Sequence, residues 1–247
     1  MYFIYKNYGE VIEITQIEKE PRPKKVRLHH TRKRGDVFGR RRSDNIRRTR
    51  QICVRRVLSA LEDFGCPLLV TLTFRGDASD ASYANDSLRG FQVRLRNKYP
   101  DAHSLFIPEL SPKGRIHFHG LLFNVPLPLG DTRQGRRIIS HGLERTDRTL
   151  AKLWGEGYVD ATQTDGSGRL AYYISKYITK GSGETMFNAM RMLRISHGFP
   201  KEIVIRGDFA EYLAHRYAND SMHVKEWEGN NMFLGKINRK TYLKRKP

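Results

Sequence analysis

Arg115-Ile116-His117-Phe118-His119-Gly120-Leu121-Leu122-Phe123 alternates apolar and polar side chains from Ile116 onward, which is the period of a β-strand, where alternate residues share a face. Ile116, Phe118 and Leu122 then line a buried face, and His117 and His119 project together from the other. Two imidazoles at i and i+2 on a stiff strand lie close enough to ligate one metal ion. A His-x-His triplet is by itself a weak motif, and a half-exposed strand that happens to carry two histidines is the plainer reading.

A second stretch, Tyr173-Ile174-Ser175-Lys176-Tyr177-Ile178-Thr179-Lys180, reads as a helix with two stripes. At about 100° per residue, Tyr173, Lys176, Tyr177 and Lys180 share one side, while Leu170, Ile174 and Ile178 form a separate apolar side. The apolar stripe accounts for the core, so the Tyr/Lys stripe is spare. Tyr172 lies about 140° around the helix from Tyr177 and faces elsewhere. Taken alone, a Tyr/Lys stripe is equally an amphipathic surface with its phenol tips in water.

Together these stretches resemble the HUH endonuclease superfamily, and within it the rolling-circle replication initiators of small single-stranded DNA phages, microvirus-type with two tyrosines. The resemblance rests on Leu68-Leu69-Val70-Thr71-Leu72-Thr73-Phe74, His117-Phe118-His119 and the helix with Tyr173 and Tyr177, in that order, and covers roughly residues 45–180. It implies metal-assisted tyrosine attack on single-stranded origin DNA, giving a 5′-phosphotyrosine and a free 3′-hydroxyl that primes host synthesis. Tyr173 and Tyr177 are the catalytic pair in this reading, with Lys176 and Lys180 as electrostatic and phosphate-holding helpers. Mg²⁺ or Mn²⁺ is the implied cofactor, and host helicase and DNA polymerase are the implied partners.

Glu109 is the candidate third ligand beside His117 and His119. Residues 103–110 look like a strand, and Ser111-Pro112-Lys113-Gly114 is a turn that brings Glu109 beside the histidines. Two neutral imidazoles give a hard cation little charge, so a carboxylate is the expected complement, as family members place an acidic residue just upstream. The competing reading is a surface glutamate paired with Arg115 or Lys113. Zinc is also compatible with the ligand types.

The chain's 247 residues carry a formal charge of +19 and a pI near 10.1. A balance so basic favours a polyanionic partner. No apolar run is long enough to span a bilayer and the N-terminus lacks a signal peptide's order, so a soluble protein of the bacterial host cytoplasm is expected, with no membrane partner. Cys53 and Cys66 support neither a disulfide framework nor a thiolate zinc site. From Arg22 to Arg56, 15 Lys/Arg stand against Asp36 and Asp44, which is +13 of the total. The cations expected on DNA are Arg40, Arg41, Arg42, Arg47, Arg48, Arg55, Arg56 and Arg115, while a solvated basic tail is the plainer alternative.

The expected fold is α+β, a central antiparallel sheet with flanking helices, the tyrosine helix packed across the face that carries the histidines. Residues 1–42 are read as a basic arm or extension, with a short hairpin around Asn7-Tyr8-Gly9 as one option. Residues 43–183 form the nicking domain and 184–247 a helical, basic C-terminal extension. Helices are expected from Asp44 to about Asp63, over Ala84–Tyr99, through Leu153-Trp154, over Met186–Leu193 and over Phe209–Tyr217. Leu68 to Phe74 reads as a fully buried strand, Tyr158 to Thr162 as another, residues 126–146 as a long basic loop, and the chain beyond Asp220 as aperiodic. No Gly-x-x-x-x-Gly-Lys-Ser/Thr loop occurs, so no fused ATP-driven helicase is expected. Two alternatives stand beside the nicking enzyme: a non-catalytic single-stranded nucleic-acid-binding protein, and a relaxase, transposase or plasmid initiator with the same chemistry.

Overall fold

The histidine strand is β5 (Ile116–Phe123), and its burial alternates as the side-chain pattern requires. The structure, a computed structural model, describes residues 1–22, 43–76, 78–126, 132–134, 137–140, 150–180 and 191–244. The chain divides into two compact units, Asp36–Pro200 and Met1–Gly35 with Lys201–Pro247. Both sheets are antiparallel and helices accompany them, an α+β fold.

In the Asp36–Pro200 unit, the helices are α1 (Ser43–Phe64), α2 (Ala81–Lys98), α3 (Leu150–Trp154) and α4 (Arg169–Lys180). The strands besides β5 are β3 (Leu68–Thr73), β4 (His103–Leu110), β6 (Thr132–Gln134), β7 (Arg137–Ser140), β8 (Val159–Gln163) and β9 (Arg194–Ile195). They form one sheet in the order β6-β7-β8-β3-β5-β4-β9. One face buries Leu68, Val70, Leu72, Ile116, Phe118 and Leu122 against Leu88, Phe91 and Leu95 of α2 and Trp154 of α3. Trp154 completes the packing edge-on to Phe74 and Phe91, and its Nε1–H donates to the Thr73 carbonyl at 2.8 Å. Burying rings of this size is worth about 1.5–3 kcal/mol each, enough to fix which face of β5 turns inward.

Gly120 shows why the strand tolerates a glycine at its centre. It is the cross-strand partner of Phe106, and a Cβ there would run into the Phe106 ring and lie 2.8 Å from the Leu105 carbonyl oxygen. The register of β4 on β5 therefore depends on a missing side chain.

Helices α1 and α4 pack on each other, and α4 lies against β4 and β5 on the sheet's second face. Ile174 and Ile178 of α4 are buried, as the apolar stripe requires. Arg50 Nε donates to Ser175 Oγ at 3.3 Å, and that hydroxyl donates in turn to the Tyr172 carbonyl at 2.9 Å. This pin joins α1 to α4 where both are closely packed.

The second unit holds β1 (Tyr2–Tyr8), β2 (Val11–Ile17), β10 (Ile203–Arg206), α5 (Asp208–Asp220), β11 (Ser221–Asn231) and β12 (Gly235–Lys244). Its sheet runs β10-β1-β2-β12-β11. Phe3, Tyr5, Ile12, Ile14 and Tyr242 close under α5. The N-terminal hairpin forms, with Gly9 at φ 69° in its turn.

Several boundaries differ from the sequence reading. Residues beyond Asp220 form two long strands rather than an aperiodic tail. Their apolar residues are sparse because much of β11 is an exposed edge. The N- and C-terminal segments complete one sheet, so they make one unit instead of an arm and a helical extension. Within the expected 126–146 loop, the described residues include β6 and β7. Strand β3 is not fully buried: Leu69, Thr71 and Thr73 are only partly covered, because the sheet's second face carries polar groups. Residues 191–193 are not helical, and the rest of the expected 186–193 helix lies outside the described residues.

Candidate active site

Cross-strand register assembles the site before any side chain is considered. Glu109 of β4 pairs with His117 of β5, which pairs with Thr73 of β3, and His119 pairs with Thr71, which pairs with Asp160 of β8. Directly opposed residues of antiparallel strands share a face. The acid, both imidazoles and two threonines therefore stand on the face crossed by α4.

His119 is the hub. Its Nε2 lies 2.5 Å from Glu109 Oε2 and its Nδ1 3.2 Å from Thr71 Oγ1. The imidazole is stacked under the Tyr177 ring, centroids 3.8 Å apart and planes 13° from parallel. A contact of 2.5 Å between Nε2 and a carboxylate requires a shared proton. Thr71, whose hydroxyl both donates and accepts, satisfies Nδ1 in whichever state results. The Glu109 side chain thus turns to His119 rather than to Arg115 or Lys113.

The two tyrosines meet as the helix spacing predicts. Tyr173 and Tyr177 hydroxyls are 3.1 Å apart with rings edge-on, centroids 5.9 Å apart. Lys176 Nζ sits 3.8 Å from the Tyr173 ring centre and 5.3 Å from that of Tyr177. Tyr177 is 8% exposed, whereas Tyr173 is 42% and Tyr172 56% exposed. Burial raises the Tyr177 phenol above the ordinary tyrosine range, helped by its hydrogen bond to Tyr173 and the negative charge of Tyr173 and Glu109. His117 moves the other way: burial, then Arg115, hold it below the usual histidine range against the pull of Glu109. It is therefore a neutral imidazole at pH 7, as a metal ligand must be.

Among the described residues, no three His, Cys, Asp or Glu side chains gather into a cluster that could hold a metal as they stand. Glu109 and His119 are brought together, and His117 shares their face without joining the contact. The donor set nonetheless suits a divalent cation by type: a carboxylate oxygen, two imidazole nitrogens and a common face. A cation between Oε2 and Nε2 would replace the shared proton and leave Nδ1–H to donate to Thr71, the outer hydrogen bond typical of ligating histidines.

The expected DNA-facing cations fare differently. Arg47 and Arg48 are exposed on α1, and Arg55 is half-buried. Arg56 Nη1 instead donates to the carbonyls of Phe199, at 2.8 Å, and Pro200. Arg115 Nη2 donates to the carbonyls of Phe74, at 2.8 Å, Arg75 and Gly76. Both spend guanidinium donors on backbone oxygens that would otherwise lack partners, a structural duty the sequence does not announce. Arg40, Arg41 and Arg42 lie outside the described residues, as does the Lys180 side chain. Thr71 is the site residue that sequence reasoning passes over. Its place between Val70 and Leu72, polar between two apolar neighbours, is the available signal.

No helix among the described residues is long and apolar enough to cross a membrane. No curated protein and no solved structure matches the chain. Residues 67–182, which run from the start of β3 past the end of α4 and include Glu109, both histidines and both tyrosines, match a family model of replication-associated proteins of the ORF2 type, a likeness consistent with a rolling-circle replication initiator.

Proposed function

We propose that the protein nicks and rejoins single-stranded DNA at a replication origin, by tyrosine attack of the HUH type. The observation that carries the reading is the Tyr177 ring stacked on His119 with its hydroxyl bonded to that of Tyr173. Tyr177 makes the first attack in this scheme. Its oxygen bonds to phosphorus, the bond from phosphorus to the 3′-oxygen breaks, the phenolic proton leaves, and the departing oxygen takes up a proton. The products are a 5′-phosphotyrosyl ester and a DNA 3′-hydroxyl. No net phosphate bond is lost, so the step reverses without ATP.

This chain's residues supply position and charge. Lys176, against the faces of both rings, stabilises developing phenolate charge. The Tyr173 hydroxyl offers the Tyr177 proton a first acceptor. Thr71 holds His119 in orientation. Glu109, His117 and His119 would hold Mg²⁺ or Mn²⁺, which supplies positive charge to the scissile phosphate. Tyr173, one helical turn from Tyr177, takes the second attack when the origin is regenerated, and the released 3′-hydroxyl closes the circle. Lys180, at the end of the same helix, is assigned to phosphate binding, and host helicase and polymerase extend the new 3′ end.

The test uses a randomised single-stranded DNA pool incubated with the full chain and Mn²⁺, resolved on a denaturing gel. The expected result is a covalent adduct, enriched for one cleavage sequence and absent from the Tyr173→Phe/Tyr177→Phe double variant. A chain that retards the pool under native conditions yet forms no adduct is a non-catalytic single-strand binder, and the proposal fails.

A further inference from the structure

The β11–β12 hairpin of the second unit carries an exposed aromatic and basic surface that the nicking chemistry does not use. Trp227 and its cross-strand partner Arg239 lie on the face opposite α5, beside Lys225 and its partner Thr241. Toward the middle of this face Val11, Glu13, Thr15 and Ile17 are buried, while at the β11 margin Trp227 is 49% exposed and Lys225 is exposed. The indole lies over Gly229, where a Cβ would come 2.7 Å from Trp227 Cζ2. A glycine at that point lets the ring lie along the strand instead of standing off it.

The charge on this margin is positive. Glu13, the acid beside it, is bonded to Lys6 at 2.9 Å, so the Arg239 guanidinium, 3.7 Å from Glu13, is not fully neutralised. That guanidinium sits 5.7 Å from the Trp227 ring centre, within cation–π range. Glu226 and Glu228 point to the other face, where they engage Asn238, and Glu226 also Lys240.

We infer that this margin is a docking surface for single-stranded DNA, with Trp227 as a base-stacking platform and Lys225 and Arg239 as phosphate contacts. A half-exposed indole flanked by cations suits unpaired bases, which present both a stacking face and a charged backbone. The strand edge argues against a protein strand adding here. The register shifts between His223 and Lys225, which breaks the ladder, and Lys225 stands on the edge. The inference is independent of the nicking site, which lies in the other unit.

The chain's two tryptophans make the test direct. Trp154 is 0% exposed and Trp227 is 49% exposed, so only the latter can stack on a base. Titrating the full chain with an oligothymidylate should quench the solvent-exposed emission and leave the Trp154 emission in place. Trp227→Ala should weaken binding about tenfold, and Trp227→Phe should restore it. Lys225→Gln should lower the slope of log affinity against log salt by about one. Unchanged emission at saturating oligonucleotide, equal quenching by duplex DNA, or parental affinity in a folded Trp227→Ala chain would each overturn the inference.

Discussion

Replacing Tyr177 with phenylalanine separates chemistry from packing. The phenyl ring keeps its place on the His119 imidazole, 3.8 Å away, and the loss is one hydroxyl and its 3.1 Å contact with Tyr173. A hydrogen bond of that kind is worth about 0.5–1.5 kcal/mol net, so the midpoint of thermal unfolding should fall by no more than about 2–6 °C. Tyr177→Ala, by contrast, empties a site only 8% exposed and should cost about 3–5 kcal/mol. The remaining nucleophile in Tyr177→Phe is Tyr173, whose ring centre lies 5.9 Å from that of Tyr177. A misplacement of even about 1 Å can cost about 10²-fold, so first-strand adduct should drop by at least about that factor. Tyr173→Phe should keep the first adduct and block rejoining. Quantifying adduct against time on denaturing gels, with unfolding followed by circular dichroism, reads both effects. Parental adduct yield in Tyr177→Phe would refute the assignment of first attack.

Three further outcomes follow from the same geometry. Thr71→Val removes the partner of His119 Nδ1 and should lower cleavage by about 10–100-fold with little loss of fold stability, measured as adduct rate against metal concentration. Arg115→Gln forfeits bonds to the Phe74, Arg75 and Gly76 carbonyls and should destabilise by about 1–3 kcal/mol in urea titration, while DNA affinity at fixed salt changes far less. Because the Tyr177 phenol is raised when folded, the native chain holds a proton that the unfolded chain releases above about pH 10. Stability contributed by this group is thus complete below about pH 10 and is lost as pH rises through the folded value. Tyr177→Phe should show a shallower alkaline decline in unfolding midpoint than the parent.

The sequence made the site's skeleton legible because periodicity carries it. Alternation in β5 set which way His117 and His119 point, and the helical angle separated Tyr173 and Tyr177 from Tyr172. The hairpin reading put Glu109 opposite His117. What escaped depended on contacts between distant segments, which no local period encodes. Arg115 and Arg56 looked like DNA ligands because charge is visible in a sequence and an orphan carbonyl is not. Thr71 looked like one more residue of a buried strand until the β3–β5 register placed it beside His119. The second sheet was hidden for a similar reason: β11 and β12 are partly exposed and carry few apolar residues, so their pairing with β1 and β2, more than 200 positions away in the chain, left no apolar pattern to follow.

The central claim is a bond between Tyr177 or Tyr173 and a DNA 5′ phosphate, and peptide mapping of the adduct tests it most directly. Trypsin cuts after Arg169, Lys176 and Lys180, so Tyr172 and Tyr173 fall in one peptide and Tyr177 in the next. After nuclease digestion, mass spectrometry should find the nucleotide mass on the Tyr177 peptide for the first cut and on the Tyr173 peptide after the second. A nucleotide attached anywhere else, or no attachment in a reaction that has cut DNA, would contradict the mechanism.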